Sequence, residues 1–104
     1  MQLINKVRHT KLDPGTKEYA EAKIGEKCMQ YLGDDSAVVC EIEFDDQLGR
    51  KDGEDKRVDV TITLPHEHLP LHIEESDQTF QMAIDRIADR IDKALLRYKE
   101  THKR

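Results

Sequence analysis

The sequence predicts an α+β fold: a two-layer sandwich, β-α-β-β-β-α, with two helices packed on one face of a four-stranded sheet. Two observations predict it. Two long segments carry one apolar stripe each at helical spacing, and the shorter segments alternate apolar and polar residues as half-buried strands do. Elements with one apolar face bury it by packing helices against a sheet. At 104 residues the chain is long enough for one core, so we expect a single domain over residues 1–104.

The first two elements are a short strand and a long helix. Residues 3–8 read as the strand. Asp13-Pro14 marks a helix start, because proline suits the first helical turn. The helix is expected to run from Pro14 to about Leu32, with Gly33 as its C-terminal cap. Gly25 lies inside it and should weaken it by about 1 kcal/mol relative to alanine. The residues expected to face inward are Ala20, Ile24, Cys28 and Tyr31.

Three alternating runs predict the remaining strands, arranged as a meander. The positions expected to face the core are Val38, Cys40, Ile42 and Phe44 in the first run, Val58, Val60, Ile62 and Leu64 in the second, and Leu69, Leu71 and Ile73 in the third. The polar stretch 47–56 is predicted to be a long loop that joins the first strand of the meander to the second. Residues 65–68 join the second strand of the meander to the third.

The most regular segment is the last one, from Phe80 to Arg104, which holds no glycine or proline. Ser76 or Asp77 is its expected N-cap. Its apolar stripe consists of Phe80, Ile84, Ile87, Ile91, Leu95 and Tyr98. A basic row on one flank comprises Arg86, Arg90, Lys93 and Arg97, and an acidic row on the other comprises Asp85, Asp89 and Asp92. Part of this pattern is the i,i+4 pairing of any solvated helix.

Charge is distributed unevenly along the chain. The net charge of −5 argues against a generally basic nucleic-acid binder. From Arg86 onward, however, seven Lys/Arg stand against three Asp/Glu, whereas residues 1–85 hold ten against nineteen. Basic charge concentrated on one element indicates a local anionic partner. If both helices lie on one side of the sheet, Lys17, Lys23 and Lys27 of the first helix could join the row in one phosphate-binding surface.

Several other classes of protein are disfavoured. No apolar run reaches the roughly 20 residues that span a membrane, and the first residues lack a secretory pattern, so we expect a cytoplasmic protein. Cys28 and Cys40 are expected to be reduced, core-facing thiols. Phosphate-binding glycine loops and nucleophile elbows are absent from the sequence, which predicts neither an enzyme nor a cofactor.

One group of histidines has the density of a metal site. His66, His68 and His72 together could ligate zinc or nickel. No fourth ligand is evident in the sequence, and two prolines constrain the loop. We therefore expect no metal there and keep the site as an alternative.

Three segments resemble one known family. They are Arg8-His9 at the end of the first strand, Lys17-Glu-Tyr-Ala-Glu-Ala-Lys-Ile24 in the first helix, and, in the last helix, Ala83-Ile-Asp85, Asp89-Arg-Ile-Asp-Lys-Ala-Leu95 and Arg97-Tyr-Lys99. By these segments the chain resembles the ribosome hibernation factor family, which includes the short hibernation-promoting factor and the ribosome-associated inhibitor. The resemblance covers nearly the whole chain and has the same order of elements.

The resemblance implies a translation regulator of the stress response. Such a protein binds the small ribosomal subunit and its rRNA near the decoding centre and occludes mRNA and tRNA. It implies no membrane or small-molecule partner, and a monomer off the ribosome. Carried over by position, the rRNA-binding residues are Arg8, Lys23, Arg86, Arg90, Lys93 and Arg97, with Lys17 and Arg86 as weaker matches.

The chain also departs from the family pattern. Asn5 stands where an apolar residue is usual, Gln81 where a tyrosine is frequent, and the connection at 65–68 is longer and more acidic. We expect neither an acidic tail nor the extra C-terminal domain of the long forms, and without such a tail the chain looks closer to the short hibernation-promoting factor than to the ribosome-associated inhibitor. The alternative function is an acidic protein-interaction module of the same fold that does not bind RNA.

Overall fold

The fold consists of one mixed sheet covered by two helices. A computed structural model describes residues 1–48, 53–65 and 67–101. The elements are β1 (Gln2–Arg8), α1 (Pro14–Leu32), β2 (Val39–Asp46), β3 (Lys56–Thr63), β4 (Leu71–Asp77) and α2 (Phe80–Thr101). The strand order is β1-β2-β3-β4, in which β1 and β2 are parallel and the other pairs antiparallel. The predicted α+β architecture is confirmed. Residues 102–104, predicted as the end of α2, and part of the predicted loop at 47–56 lie outside the described residues.

A single apolar core fills the space between the sheet and the helices. Buried positions include the inward residues predicted for β2 and β3 and the central stripe of α2, which is Ile84, Ile87, Ile91 and Leu95. Tyr31, Phe80 and Tyr98 lie at the margin of this core, partly buried. The Phe44 ring meets the Phe80 ring edge-on, with 5.7 Å between centroids. This contact fixes the start of α2 against the middle of the sheet.

The ends of α1 are as predicted. Asp13 is the N-cap, and its carboxylate accepts the backbone N–H of Thr16 at 3.0 Å. Hydrogen bonds from Thr16 lower the pKa of Asp13 below its ordinary value. Gly33 ends the helix with φ 66°, a left-handed conformation that favours glycine.

Both cysteines occupy the core positions predicted for them. Cys28 of α1 and Cys40 of β2 are free and buried. The neighbouring Cys28 thiol and burial raise the pKa of Cys40 far above its ordinary value. The pair therefore packs as part of the apolar interior rather than as reactive surface thiols.

β4 begins later than predicted, and the prediction for Leu69 was wrong. Leu69 is 80% exposed, and the strand starts at Leu71. Pro70 stands between them and has no N–H to donate to a strand ladder, so regular pairing begins after it.

The predicted N-cap of α2 was also wrong. Ser76 and Asp77 belong to β4, where Asp77 pairs with Lys56 of β3. The cap is Thr79, whose hydroxyl accepts the backbone N–H of Met82 at 3.1 Å. Pairing with β3 keeps β4 extended through Ser76 and Asp77, so the helix begins only after these two residues.

Gly25→Ala is expected to stabilise the protein by about 0.5–1 kcal/mol, because alanine costs less backbone entropy in a helix. A Cβ at Gly25 would stand 3.5 Å from Leu3 Cδ1, which is ordinary contact. Urea denaturation measures the change. Gly33→Ala is the control and should destabilise the protein, since its φ of 66° strains any side chain. A loss of stability in Gly25→Ala would contradict the expectation.

Candidate nucleic-acid interface

The acidic row of α2 faces α1. The Tyr19 hydroxyl donates to Asp85, and the Tyr31 hydroxyl donates to Asp92 Oδ1 at 2.6 Å. Lys27 Nζ lies 3.3 Å from the same Asp92 oxygen. Two of the three acids therefore link the helices, and the basic row is turned to the other side.

The link between the helices responds to pH. Hydrogen bonds from Tyr31 and Lys27 lower the pKa of Asp92 from 3.8, and the same contact raises the pKa of Tyr31 from 10.0. Because the pKa of Asp92 is lower in the folded protein, its ionisation stabilises the fold at pH values above the pKa of the unfolded state. This stabilisation is lost as the pH falls through the pKa of the folded state. Because the pKa of Tyr31 is higher in the folded protein, its protonated hydroxyl stabilises the fold below pH 10.0, and this stabilisation is lost as the pH rises through the pKa of the folded state.

Tyr31→Phe is expected to lower the melting temperature at neutral pH, because it removes the hydroxyl donor to Asp92. The difference from the unchanged protein should shrink as the pH falls below 3.8 towards the lowered pKa of Asp92 in the folded protein, where the carboxylate becomes protonated. Melting curves across pH measure it. Asp89→Asn, in the same row but with no described contact to α1, should change little. A Tyr31→Phe deficit that is equal at every pH would contradict the link.

The first half of the basic row is held against β4. Arg90 Nη1 lies 2.8 Å from Glu75 Oε2 and 3.0 Å from the carbonyl oxygen of Glu74. Arg86 Nη1 lies 3.3 Å from the Ser76 carbonyl oxygen and 3.6 Å from Asp77 Oδ2. Both side chains remain about half exposed, at 53%. β4 thus fixes two guanidinium groups while leaving one side of each to solvent.

The second half of the row is more open. Lys93 and Arg97 are exposed, and across residues 1–48, 53–65 and 67–101 neither forms an ion pair. Together with Arg90 and Ala94 they line a surface depression of about 270 Å³. These two cations carry the positive charge that is most available to an anionic partner.

Arg8 and Lys23 lie apart from this row. β1 is on the sheet edge opposite β4, and there Arg8 pairs with Glu43. Lys23 lies over the Tyr19 ring on α1, with Nζ 5.6 Å from the ring centroid. Because the acidic row lies between the helices, Lys23 and its neighbours on α1 do not merge with the basic row. The six predicted residues therefore form one group of four and two separate cations.

The three histidines of the alternative metal site are only partly described. His66 lies outside the described residues, and His68 is exposed in the loop before β4. His72 instead meets Asp59, with Nε2 3.0 Å from Oδ1, and together with Glu74 they could offer three ligand atoms within 4.8 Å. The Arg57 guanidinium bridges both carboxylates, at 3.1 Å from Asp59 and 2.8 Å from Glu74. Arg57 therefore already supplies the positive charge that a metal would bring.

Sequence reasoning missed the acids of β4 that hold the basic row. It considered only i,i+4 pairing along α2 itself, whereas Glu75 and Asp77 provide partners for the arginines from the strand. The available signal was the acidic run Glu74-Glu75-Ser76-Asp77 shortly before the helix.

In the described part of the chain, neither helix combines the length and the apolar character needed to cross a membrane.

Comparisons with known proteins identify the family. A family model described as sigma 54 modulation protein / S30EA ribosomal protein matches residues 3–103. The N-terminal domain of protein Y from Thermus thermophilus is similar in structure, with a TM-score of 0.73 and 19% identity, over 94% of this chain and 99% of that one. A ribosomal subunit interface protein from Coxiella burnetii gives a TM-score of 0.76 and 18% identity, over 96% and 99%.

No curated protein matches the chain in sequence. The structural likenesses, at less than 20% identity, establish the shared fold. The match to the family model is stronger evidence of relationship than these structural likenesses, because it spans nearly all of the chain. The protein therefore belongs to the sigma 54 modulation protein / S30EA ribosomal protein family, the family of ribosome-associated hibernation-promoting factors that its sequence resembles.

Proposed function

We propose that the protein binds rRNA of the small ribosomal subunit and keeps the subunit idle by occluding mRNA and tRNA near the decoding centre. The observation that carries the proposal is the basic row of α2, Arg86, Arg90, Lys93 and Arg97, on the flank turned away from α1. At 1.5 Å per residue the row extends about 16 Å along the helix, long enough to meet several phosphates. Family membership supports a ribosomal partner.

The mechanism needs position and charge rather than chemistry. The buried stripe of α2 holds the helix rigidly on the core, and contacts with β4 hold Arg86 and Arg90 in place before RNA arrives. Side chains that are already ordered lose less conformational freedom on binding. Cations on phosphates also release counterions, which drives association. A small rigid domain bound this way blocks the channel by its volume.

Arg8 and Lys23 fit the proposal as separate contacts. They lie on different faces from the basic row, at the opposite sheet edge and on α1. A protein seated in a channel is surrounded by RNA and meets it on more than one face. We propose that these two residues contact rRNA segments other than the one on α2.

Co-sedimentation with isolated small subunits across a salt series tests the proposal. We expect near-stoichiometric binding at low salt. Four phosphate contacts by the basic row and two more by Arg8 and Lys23 predict that log affinity falls with log salt at a slope of about −4 to −5. No binding even at low salt would overturn the proposal.

The acidic interaction module remains the second candidate, and one observation favours it. The carboxylates of Glu41, Glu43 and Asp59 line a depression of about 210 Å³ on the sheet face that the helices leave open, and Arg57 and His72 line it with them. A basic protein partner would pair with these carboxylates in exchange for their present partners Lys6, Arg8 and Arg57. Failure to bind small subunits, with retention on a basic ribosomal protein, would favour this candidate.

Glu75→Gln is expected to tighten binding to small subunits by about two- to fivefold, the scale of an exposed ion pair. Glu75 competes with phosphate for both Arg86 and Arg90, and in the variant the backbone carbonyl oxygens of β4 still hold the two side chains in place. Co-sedimentation at fixed salt measures the change. Glu26→Gln, on the exposed surface of α1, makes the same change in net charge and is the control. An equal gain in both variants would mean that overall charge, not release of the arginines, is responsible.

A further inference from the structure

An apolar cleft adjoins the open half of the basic row. It has a volume of about 290 Å³ and lies between the β3–β4 connection and the last turns of α2. Its apolar lining comes from Leu64, Leu69, Pro70, Leu71, Ala94 and Tyr98. Arg97 lines it too, and Arg97 and Ala94 also line the basic depression that holds Lys93. An apolar hollow and a cationic one therefore share a wall.

This combination suits a ligand with an apolar part and an anionic group side by side. The volume is at the lower end of the range for small-molecule sites, which fits one flat ring system rather than a larger ligand. A nucleotide has this form, because its base offers an apolar face and its phosphate follows at short distance. Bases commonly pack on aromatic and aliphatic side chains in proteins that bind single-stranded nucleic acid.

We propose that this cleft takes one unpaired base of rRNA, with the adjoining phosphate on Lys93 and Arg97; this rests on the proposed function for the identity of the RNA. The base packs against Leu69 and Tyr98. Glu67 lines the cleft as well. Contact with a base requires a loop, bulge or end, since paired bases are inaccessible.

The exposure of Leu69 is the strongest support for a ligand in the cleft. It is 80% exposed beside the cleft, although its pattern in the sequence predicted burial. Leu48, in the β2–β3 connection, is similarly exposed at 75% but lines a different hollow, with His9 and Asp45. The two leucines allow a matched comparison of the same substitution inside and outside the proposed site.

Leu69→Gln is expected to weaken co-sedimentation with small subunits about tenfold, within the range for one lost base contact. The salt slope should stay unchanged, because no phosphate contact is lost. Leu48→Gln should bind as the unchanged protein does. If Leu69→Gln and the unchanged protein bind equally, the cleft is not occupied by a base. If the unchanged protein itself does not bind, the proposed function fails instead.

A titration of the free protein locates the base directly. Adenosine 5′-monophosphate should shift the amide resonances of Leu69 and Leu71, which line only the cleft, as well as those of Lys93 and Arg97. Ribose 5-phosphate should shift Lys93 and Arg97 and leave Leu69 and Leu71 unchanged. Identical shifts from both ligands would overturn the inference. A photo-crosslinking amino acid placed at position 69 should attach to rRNA in the small subunit, and attachment to a ribosomal protein alone would also overturn it.

Discussion

The triple variant Arg90→Glu, Lys93→Glu, Arg97→Glu is expected to lose co-sedimentation with small ribosomal subunits at every salt concentration while keeping its fold. All three side chains are exposed, so the core of α2 is untouched. The substitutions replace three positive charges by three negative ones on a single flank. Three phosphate contacts are lost and each becomes a repulsion.

Circular dichroism and a melting curve show whether the triple variant is folded. The matched control is Lys6→Glu, Lys11→Glu, Lys99→Glu, with the same change in net charge at exposed positions outside the basic row. Lys99 is two residues from Arg97 and therefore points to a different side of α2. The control should retain most binding. A folded triple variant that still binds, or a control that loses binding equally, would refute the assignment of the surface.

Phe44→Ala is expected to lower the free energy of unfolding by about 3–5 kcal/mol. Phe44 is fully buried in β2 and is the largest side chain in the core. Its removal leaves a cavity under α2 and deletes the edge-on contact with Phe80, whose ring is at 87° to it. Total stabilities of about 5–15 kcal/mol are typical of native proteins, so this one change removes a large share.

Urea denaturation of Phe44→Ala, Phe80→Ala and the double variant measures these effects. Phe80 is only partly buried, so its substitution should cost less. The double variant should show a coupling of about 0.5–1.5 kcal/mol, the size of an aromatic pair. Phe44→Leu keeps most of the volume and should be milder. An unchanged unfolding midpoint in Phe44→Ala would show that the sheet and α2 do not pack as described.

Periodicity in the sequence determined most of the fold. The inward faces of β2 and β3 and the stripe of α2 followed from spacings of two and of 3.6 residues, because side-chain direction repeats with those periods. The bounds of α1 followed from Asp13-Pro14 and Gly33, which suit the two ends of a helix. The same reasoning placed Arg86, Arg90, Lys93 and Arg97 on one flank of α2. These properties depend only on neighbours a few residues away, so a single sequence contains them.

Tertiary structure decided where the rows point and where elements end. Asp92 reaches Tyr31, 61 residues away, and Arg90 reaches Glu75, 15 residues away. Local spacing does not encode such distant partners. The late start of β4 and the Thr79 cap follow from pairing with β3, which holds Asp77 in the sheet. The sequence thus determined which charges share a face. Only packing of α2 between α1 and β4 decided which of those charges are neutralised and which remain open to solvent, because that depends on contacts between segments far apart in the chain.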